Sequence, residues 1–323
     1  MRIVYMGTPD FAVKPLEALI AAGHDIVLAV TQPDKKKGRG KEMQPTPVKE
    51  CALRHGIEVF QPVKIKSEEA VQRLRACDAE LFVVAAFGQI LSQEILDMPH
   101  YGCVNIHASL LPKYRGAAPI QWAILNGERE TGVTVMQMEA GLDTGDMLLK
   151  EVVLIDAKET GETLHDKLSE AGARLIVRAI PLIEGGKLTP QKQNDAESCY
   201  AKMLTKELGH IRWEKSAAEI ERLIRGLNAW PSAYTYLEGK TLKIWEADVV
   251  PESDETYVRL AQAEPELIRQ PAAVIEVTRS ELLVVCGEGL LRILQLQLEG
   301  KRRMGIEEFL RGKSLEKGIR LGE

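Results

Sequence analysis

Leu81-Phe-Val-Val-Ala-Ala-Phe87 is the longest wholly apolar run in the chain. At seven residues it has the length of a strand and falls far short of the roughly 20 residues of a membrane span. An unbroken apolar strand, with no polar residue at alternate positions, suits a sheet covered on both faces. Working outward, Ile3 to Met6, Ile26 to Thr31, Ile57 to Phe60 and Cys103 to Ile106 read as further strands, apolar apart from Thr31, Glu58 and Asn105. Helical signals separate them. Thr8-Pro9 offers an N-cap and a first-turn proline before a helix over Phe11 to Ala22, closed by Gly23. Thr46-Pro47 repeats that signal before a helix ending near His55-Gly56. Buried strands alternating with helices predict an α/β fold with a mostly parallel sheet, and such sheets hold ligands beyond the carboxyl ends of their strands.

After Gly132 the pattern changes. Val133 to Met138 and Met147 to Leu154 read as strands joined by the loop Glu139 to Asp146, followed by a helix with Leu164, Leu168, Ala171 and Leu175 on one face and Gly185-Gly186 at its end. Residues 187–207 mix Pro, Gln, Asn and charges and read as a linker. The last third opens with the capping box Ser216-Ala-Ala-Glu219. Short strands then dominate, at Tyr234 to Leu237, Thr241 to Ala247, Ala273 to Val277, Leu282 to Cys286 and Leu290 to Leu296, which suggests a small β-barrel.

The chain has 323 residues, more than one core usually holds, so two domains are expected. Its formal net charge is -5, which gives no general attraction to nucleic acid; any RNA contact must come from a local basic patch. The apolar run at the N-terminus, Ile3 to Met6, is too short for a signal-peptide core. The five cysteines are odd in number and contain no C-x-x-C pair, which argues for scattered reduced thiols in a cytosol rather than a zinc site or a disulfide framework.

Several residues could carry chemistry. Asn105-Ile-His107 sits where a strand should end, and residues i and i+2 of a strand share a face. An amide and an imidazole projecting together suit an oxygen that gains negative charge. Alone, the triplet reads more simply as a pair of ordinary polar residues. Ser109 to Ile120 is a loop of small residues and prolines following directly on that strand end, where ligand contacts concentrate. Gly141-Leu-Asp-Thr-Gly-Asp146 brackets a carboxylate between two glycines; too few acidic residues lie nearby to favour a metal. Gly7-Thr-Pro-Asp10 lacks the G-x-G-x-x-G spacing of dinucleotide sites. Lys35-Lys-Lys-Gly-Arg-Gly-Lys41 is a basic loop in an acidic protein, and it follows a strand, so it belongs at the same sheet edge as Asn105 and His107.

Taken together, Gly7-Thr-Pro-Asp-Phe11, Thr31-Gln-Pro-Asp34, Asn105-x-His107, Ser109-Leu-Leu-Pro112, Arg115-Gly-Ala-Ala-Pro119, Gly141-Leu-Asp-Thr-Gly-Asp146 and Ala229-Trp-Pro231 resemble the methionyl-tRNA formyltransferase family over nearly the whole chain. One departure is the run of three lysines between Asp34 and Gly38, which makes that loop more basic than usual. The resemblance implies a Rossmann-like formyltransferase domain at 1–186, a linker at 187–207 and an OB-like tRNA-binding domain at 208–323. It implies Asn105, His107 and Asp143 as the catalytic trio and Ser109, Leu110, Leu111 and Pro112 as the folate-contacting loop, with 10-formyltetrahydrofolate as co-substrate and no metal. Lys35, Lys36, Lys37, Arg39 and Lys41 are the expected tRNA contacts. The implied acceptor is initiator methionyl-tRNA, and the chain is expected to be a cytoplasmic monomer without a membrane partner. The alternative is a folate-dependent formyltransferase acting on a small amine or a sugar nucleotide. A third class, an RNA-binding protein that has lost catalysis, is opposed by the joint presence of Asn105, His107 and Asp143. The C-terminal domain and the basic loop favour the large acceptor over the small one.

Overall fold

In the computed structural model, residues 1–37 and 42–322 are described, without the side chains of Lys36, Lys37 and Glu42. The chain groups into two units, one of Met1–Ile120, Arg129–Ile155 and Thr163–Lys202, the other of Gln121–Glu128, Asp156–Glu162 and Met203–Glu323.

The first unit is built on a seven-stranded sheet. Its strands are β1 (Arg2–Gly7), β2 (Asp25–Val30), β5 (Val59–Phe60), β6 (Leu81–Ala85), β7 (Cys103–His107), β9 (Glu130–Gln137) and β10 (Met147–Leu154). Two further strands, β3 (Lys35–Lys37) and β4 (Glu42–Gln44), form a separate hairpin, and β8 (Arg115–Gly116) pairs in parallel with β11 (Tyr200–Ala201). The sheet order is β10-β9-β7-β6-β1-β2-β5. The strands from β7 to β5 run parallel, whereas β9 is antiparallel to both β7 and β10. Ile3, Val4, Tyr5 and Met6 of β1 are fully buried, as a central strand covered on both faces requires. Burial of this kind stabilises by about 1.5–3 kcal/mol for each large apolar side chain.

The helices of this unit are α1 (Val13–Ala21), α2 (Pro47–Arg54), α3 (Glu68–Arg75), α4 (Gln93–Leu96), the start of α5 (Pro119–Leu125) and nearly all of α6 (Gly161–Glu184). Thr46 caps α2 as its sequence suggests, with its hydroxyl accepting from the Lys49 N–H at 3.2 Å. Thr8 does not cap a helix. A short 3-10 turn over Asp10–Ala12 intervenes before α1, and the Thr8 hydroxyl donates instead to the Phe87 carbonyl at 3.0 Å, tying the end of β1 to the segment after β6. The stretch expected as a linker is divided. Residues 187–202 count with the first unit, where Gln191 and Met147 exchange backbone hydrogen bonds of 2.8 and 2.9 Å and β11 lies against β8.

The second unit is a small antiparallel β-domain. The helix α7 (Ala217–Gly226) starts at Ser216, whose hydroxyl accepts from the Glu219 N–H while the Glu219 carboxylate accepts from the Ser216 N–H. The strands β12 (Ala233–Leu237), β13 (Lys240–Val250), β14 (Val274–Val277), β15 (Leu282–Val285) and β16 (Leu290–Leu298) lie in the order β12-β13-β16-β15-β14, and β17 (Met304–Gly305) pairs with β16. Apolar side chains from α7 and the sheet, among them Ile220, Ile224, Leu242, Val284 and Ile293, form one core. In this unit the sequence reading gave no sign of α8 (Glu255–Ala263) or α9 (Ile306–Gly312), as in the first unit it gave none of α3 or α4. Helix α8 does carry a signal, an Asp254 N-cap that accepts from the Thr256 N–H at 2.8 Å.

Candidate active site

β7 carries Asn105 and His107 to the carboxyl edge of the parallel strands, two residues apart and therefore on one face. In register, Asn105 lies opposite Met136 and His107 opposite Thr134 of β9. Asn105 is half-buried, and its carboxamide has no hydrogen-bond partner among the described residues. His107 is 6% exposed, and its Nε2 lies 2.9 Å from the Tyr114 carbonyl oxygen. A carbonyl only accepts, so Nε2 carries the proton in that bond and Nδ1 is the nitrogen presented to Asp143. The distance from Nδ1 to Asp143 Oδ2 is 3.7 Å, too long for a direct hydrogen bond. The ring is thus oriented by the Tyr114 carbonyl, and Asp143 stands across a gap from it.

Asp143 is held independently. Its Oδ2 accepts from the Gly116 N–H at 2.8 Å, and its backbone sits in the left-handed region at φ 52, which Asp tolerates better than most residues. The glycines nearby are there for space. A Cβ at Gly145 would lie 1.9 Å from the Gln137 carbonyl oxygen, and one at Gly116 would lie 2.5 Å from the Tyr200 ring, with Gly116 itself at φ 114. The Gln193 carboxamide donates to the Asp143 and Gly145 carbonyls, both at 2.8 Å, and accepts from Arg115 Nε at 2.9 Å.

The loop Ser109 to Pro112 is pinned to β9 by one hydroxyl. Thr134 Oγ1 donates to the Ser109 carbonyl at 2.7 Å and accepts from the Leu111 N–H at 3.2 Å. Ser109 and Leu111 are buried; the Ser109 hydroxyl donates to the Lys113 carbonyl at 2.6 Å, and Leu111 packs with Met136 and Met147. Leu110 and Pro112 are the half-exposed members of the loop. Lys150 Nζ closes the outer side by donating to the Leu111 carbonyl at 2.7 Å, and burial lowers its pKa from the usual lysine value.

The structure therefore brings Asn105, His107 and Asp143 into one site, with the Ser109 to Pro112 loop beside it. The basic segment is more ordered than a loop at its start, since Lys35, Lys36 and Lys37 form β3, paired with Gln44, Met43 and Glu42 of β4. Arg39 and Lys41 lie outside the described residues. β3 follows β2, a strand parallel to β7 through β1 and β6, so the hairpin leaves the sheet at the same edge as His107. Its base is fixed by Asp34, which pairs with Lys49 at 2.5 Å and accepts from Gln61 Nε2 at 2.6 Å; these contacts hold its carboxyl below the usual carboxylate range, that to Lys49 most strongly.

Sequence reading passed over Thr134, Gln193, the Gly116 N–H and the Tyr114 carbonyl. Tyr114 and Gly116 lie within the loop Ser109 to Ile120 singled out there, though not for these backbone groups. Thr134 is one polar position in an apolar strand, and Gln193 lies in a polar stretch that gives no local signal. Among the described residues, one trio of possible metal ligands comes together, Glu17, Cys51 and His55, within 4.8 Å of one another. Glu17 is already paired with Arg54, and burial raises the Cys51 thiol pKa.

The formyl transferase family model matches residues 1–180, and the model of the formyl transferase C-terminal domain matches residues 203–314. A methionyl-tRNA formyltransferase of Agathobacter rectalis is 54% identical to this chain, covering 98% of the chain and 98% of the relative. One of Lachnospira eligens is 52% identical, covering 100% of both. Among solved structures, an N-formyltransferase of Helicobacter canadensis in complex with folinic acid and dTDP-3-aminofucose superposes with a TM-score of 0.63 at 20% identity, over 92% of this chain and 100% of that one. HypX of Aquifex aeolicus in complex with tetrahydrofolic acid superposes with a TM-score of 0.63 at 17% identity, over 100% of this chain and 51% of that one. At those identities the two structures speak for the fold alone.

Proposed function

This chain belongs to the formyl transferase family, and on that premise we propose that it carries a formyl group from 10-formyltetrahydrofolate to the free amino group of methionine on initiator methionyl-tRNA. The observation that carries the reading is the meeting of an unpartnered amide, an imidazole and a carboxylate at the carboxyl edge of the sheet in a chain 54% identical to a methionyl-tRNA formyltransferase.

The donor set fits a formyl group. The folate supplies the formyl carbon and the nitrogen that departs from it. Asn105 offers two amide protons to the formyl oxygen as negative charge builds there, a contribution of about 10²–10³ in rate for one such donor. His107 presents Nδ1 to the same space; protonated, it donates to that oxygen beside Asn105. An α-amino group has a reference pKa of about 7.7–8.0, so part of it is neutral near pH 7 and needs little activation. What remains is to take a proton from the attacking nitrogen and return it to the folate nitrogen as its bond to the formyl carbon breaks. Asp143 suits that role, since one of its oxygens is fixed by Gly116 and the other has no partner among the described residues. The 3.7 Å between Asp143 and His107 is a gap that a water or the reacting nitrogen can bridge. In the neighbouring loop we assign the folate contact to the half-exposed Leu110 and Pro112, with the buried Ser109 and Leu111 holding the loop in shape.

The tRNA is assigned to Lys35, Lys36 and Lys37 of β3, to Arg39 and Lys41, and to the second unit. There Trp245 is half-exposed on β13, with the Arg303 guanidinium 5.0 Å and the Lys243 ammonium 5.6 Å from the ring centroid. Basic groups around an aromatic ring are how many proteins hold single-stranded nucleic acid. Among the described residues no helix is long and apolar enough to cross a membrane. We assign the reaction to the cytoplasm and the working form to a monomer. The test is formylation of charged initiator tRNA with 10-formyltetrahydrofolate. Transfer that disappears on replacing Asn105 or His107 supports the reading, and transfer that survives both replacements removes these residues from it.

A further inference from the structure

Asp143 sits on a loop held by contacts from outside it. Its φ of 52 lies in the left-handed region, which Asp visits at lower cost than most residues but does not prefer. The first half of the loop, Glu139 to Leu142, is exposed, and Leu142 beside Asp143 is 55% exposed. The restraint comes from a distant part of the chain. Both N–H groups of the Gln193 carboxamide are used, one on the Asp143 carbonyl and one on the Gly145 carbonyl, each at 2.8 Å. Its oxygen accepts from Arg115 Nε at 2.9 Å, and Arg115 is anchored again by Asp195 at 2.8 Å. Arg115 directly precedes Gly116, whose N–H holds the Asp143 carboxylate. One amide thus ties the backbone of the Asp143 loop to the segment that grips the Asp143 side chain. Backbone bonds secure the strap that carries it. Gln191 pairs with Met147, the Arg115 N–H donates to the Cys199 carbonyl at 2.9 Å, and the Ala117 N–H donates to the Ala201 carbonyl at 2.9 Å.

We propose that Gln193 is a positioning residue for formyl transfer, setting the place of the Asp143 carboxylate opposite His107 without touching the substrate. The proposal rests on the reading that Asp143 takes part in that reaction. The amide is required because the clamp needs two donors and one acceptor on one planar group, which only Asn and Gln supply.

Gln193→Glu keeps the size and the acceptor toward Arg115, but it turns an oxygen toward two carbonyls. Gln193→Ala removes all three bonds. Gln193 is half-buried in a surface strap, so both variants are expected to fold. The first readout needs no activity: exchange of the Gly116 amide proton, which the Asp143 carboxylate protects, followed by NMR. It should quicken about tenfold in both variants while the amides of Ile106 and Val135 in β7 and β9 keep wild-type rates. The second is steady-state formylation, where kcat should fall about 10–10²-fold, the usual cost of misplacing a reacting group by about 1 Å, with the folate KM within twofold of wild type. Unchanged Gly116 exchange in both variants overturns the proposal, as does faster exchange of all these amides together, which marks general loosening. A raised folate KM with kcat preserved also overturns it, because Gln193 would then be a binding residue. If the wild-type chain formylated no acceptor, the exchange data would still decide whether the clamp exists.

Discussion

Replacing Thr134 by valine removes one hydroxyl and keeps the shape of the side chain. Thr134 is fully buried, and its Oγ1 is the hydrogen-bond partner of both the Ser109 carbonyl and the Leu111 N–H. Thr134→Val therefore deletes two hydrogen bonds worth about 0.5–1.5 kcal/mol each and leaves a carbonyl and an N–H wanting partners, at about 1–3 kcal/mol per buried group. The loop can move part of the way toward water, so the expected loss is about 2–4 kcal/mol rather than the full sum. That is within the roughly 5–15 kcal/mol by which folded domains are stable, so the protein should still fold. The damage should concentrate in the loop Ser109 to Pro112. Urea unfolding should show the destabilisation, and equilibrium folate binding should weaken several-fold. Thr134→Ser keeps the hydroxyl and should recover both. A Thr134→Val protein within about 0.5 kcal/mol of wild type, with unchanged folate affinity, would refute the reasoning that this hydroxyl shapes the folate loop.

Asn105→Ala and His107→Ala should each lower kcat by about 10²–10³ with little change in the melting temperature. Asp143→Asn should bind folate yet turn over almost nothing, since an amide cannot take a proton from the attacking nitrogen; an active Asn variant would reduce Asp143 to loop architecture. Glu219 makes a prediction about acid stability. The Lys215 ammonium, and after it the Ser216 N–H and hydroxyl, hold its carboxyl at about 2 against an ordinary 4.5. A carboxyl with a lowered folded pKa stabilises fully above its unfolded value, and the effect is lost as pH falls from about 4.5 toward 2. Glu219→Gln should flatten stability against pH in that window and leave the slope near pH 7 unchanged. Replacing Lys35, Lys36 and Lys37 by alanine should reduce the slope of log K for tRNA against log salt by roughly 0.7 for each phosphate that is no longer neutralised, while folate binding stays as it was.

The parallel part of the sheet is legible in the sequence because its strands are short and mostly apolar; β1 and β7 fall within a residue of the runs read there, and β6 ends at Ala85, two residues before its run does. The caps at Thr46 and Ser216 are equally plain, since each is a local pattern that the backbone satisfies locally. Thr8-Pro9 carries the same local signal, but its hydroxyl finds a partner in Phe87, 79 residues away, and no local rule anticipates that. The run of lysines at residues 35–37 looks like a solvated loop because Lys is a poor strand former; pairing with residues 42–44 overrides the propensity. At the site, the i, i+2 spacing of Asn105 and His107 could be read directly. The groups that shape the site could not. The Tyr114 carbonyl and the Gly116 N–H are backbone, present at every residue, and Gln193 acts through partners 48 to 78 residues distant in sequence.

The most direct test offers the wild-type protein 10-formyltetrahydrofolate together with charged initiator methionyl-tRNA and a small amino sugar nucleotide in one reaction, and follows where the formyl group goes. The account predicts formyl on the methionine amino group, with the sugar nucleotide left unmodified and transfer lost in His107→Ala. Formyl accumulating on the sugar nucleotide while methionyl-tRNA stays free would contradict it.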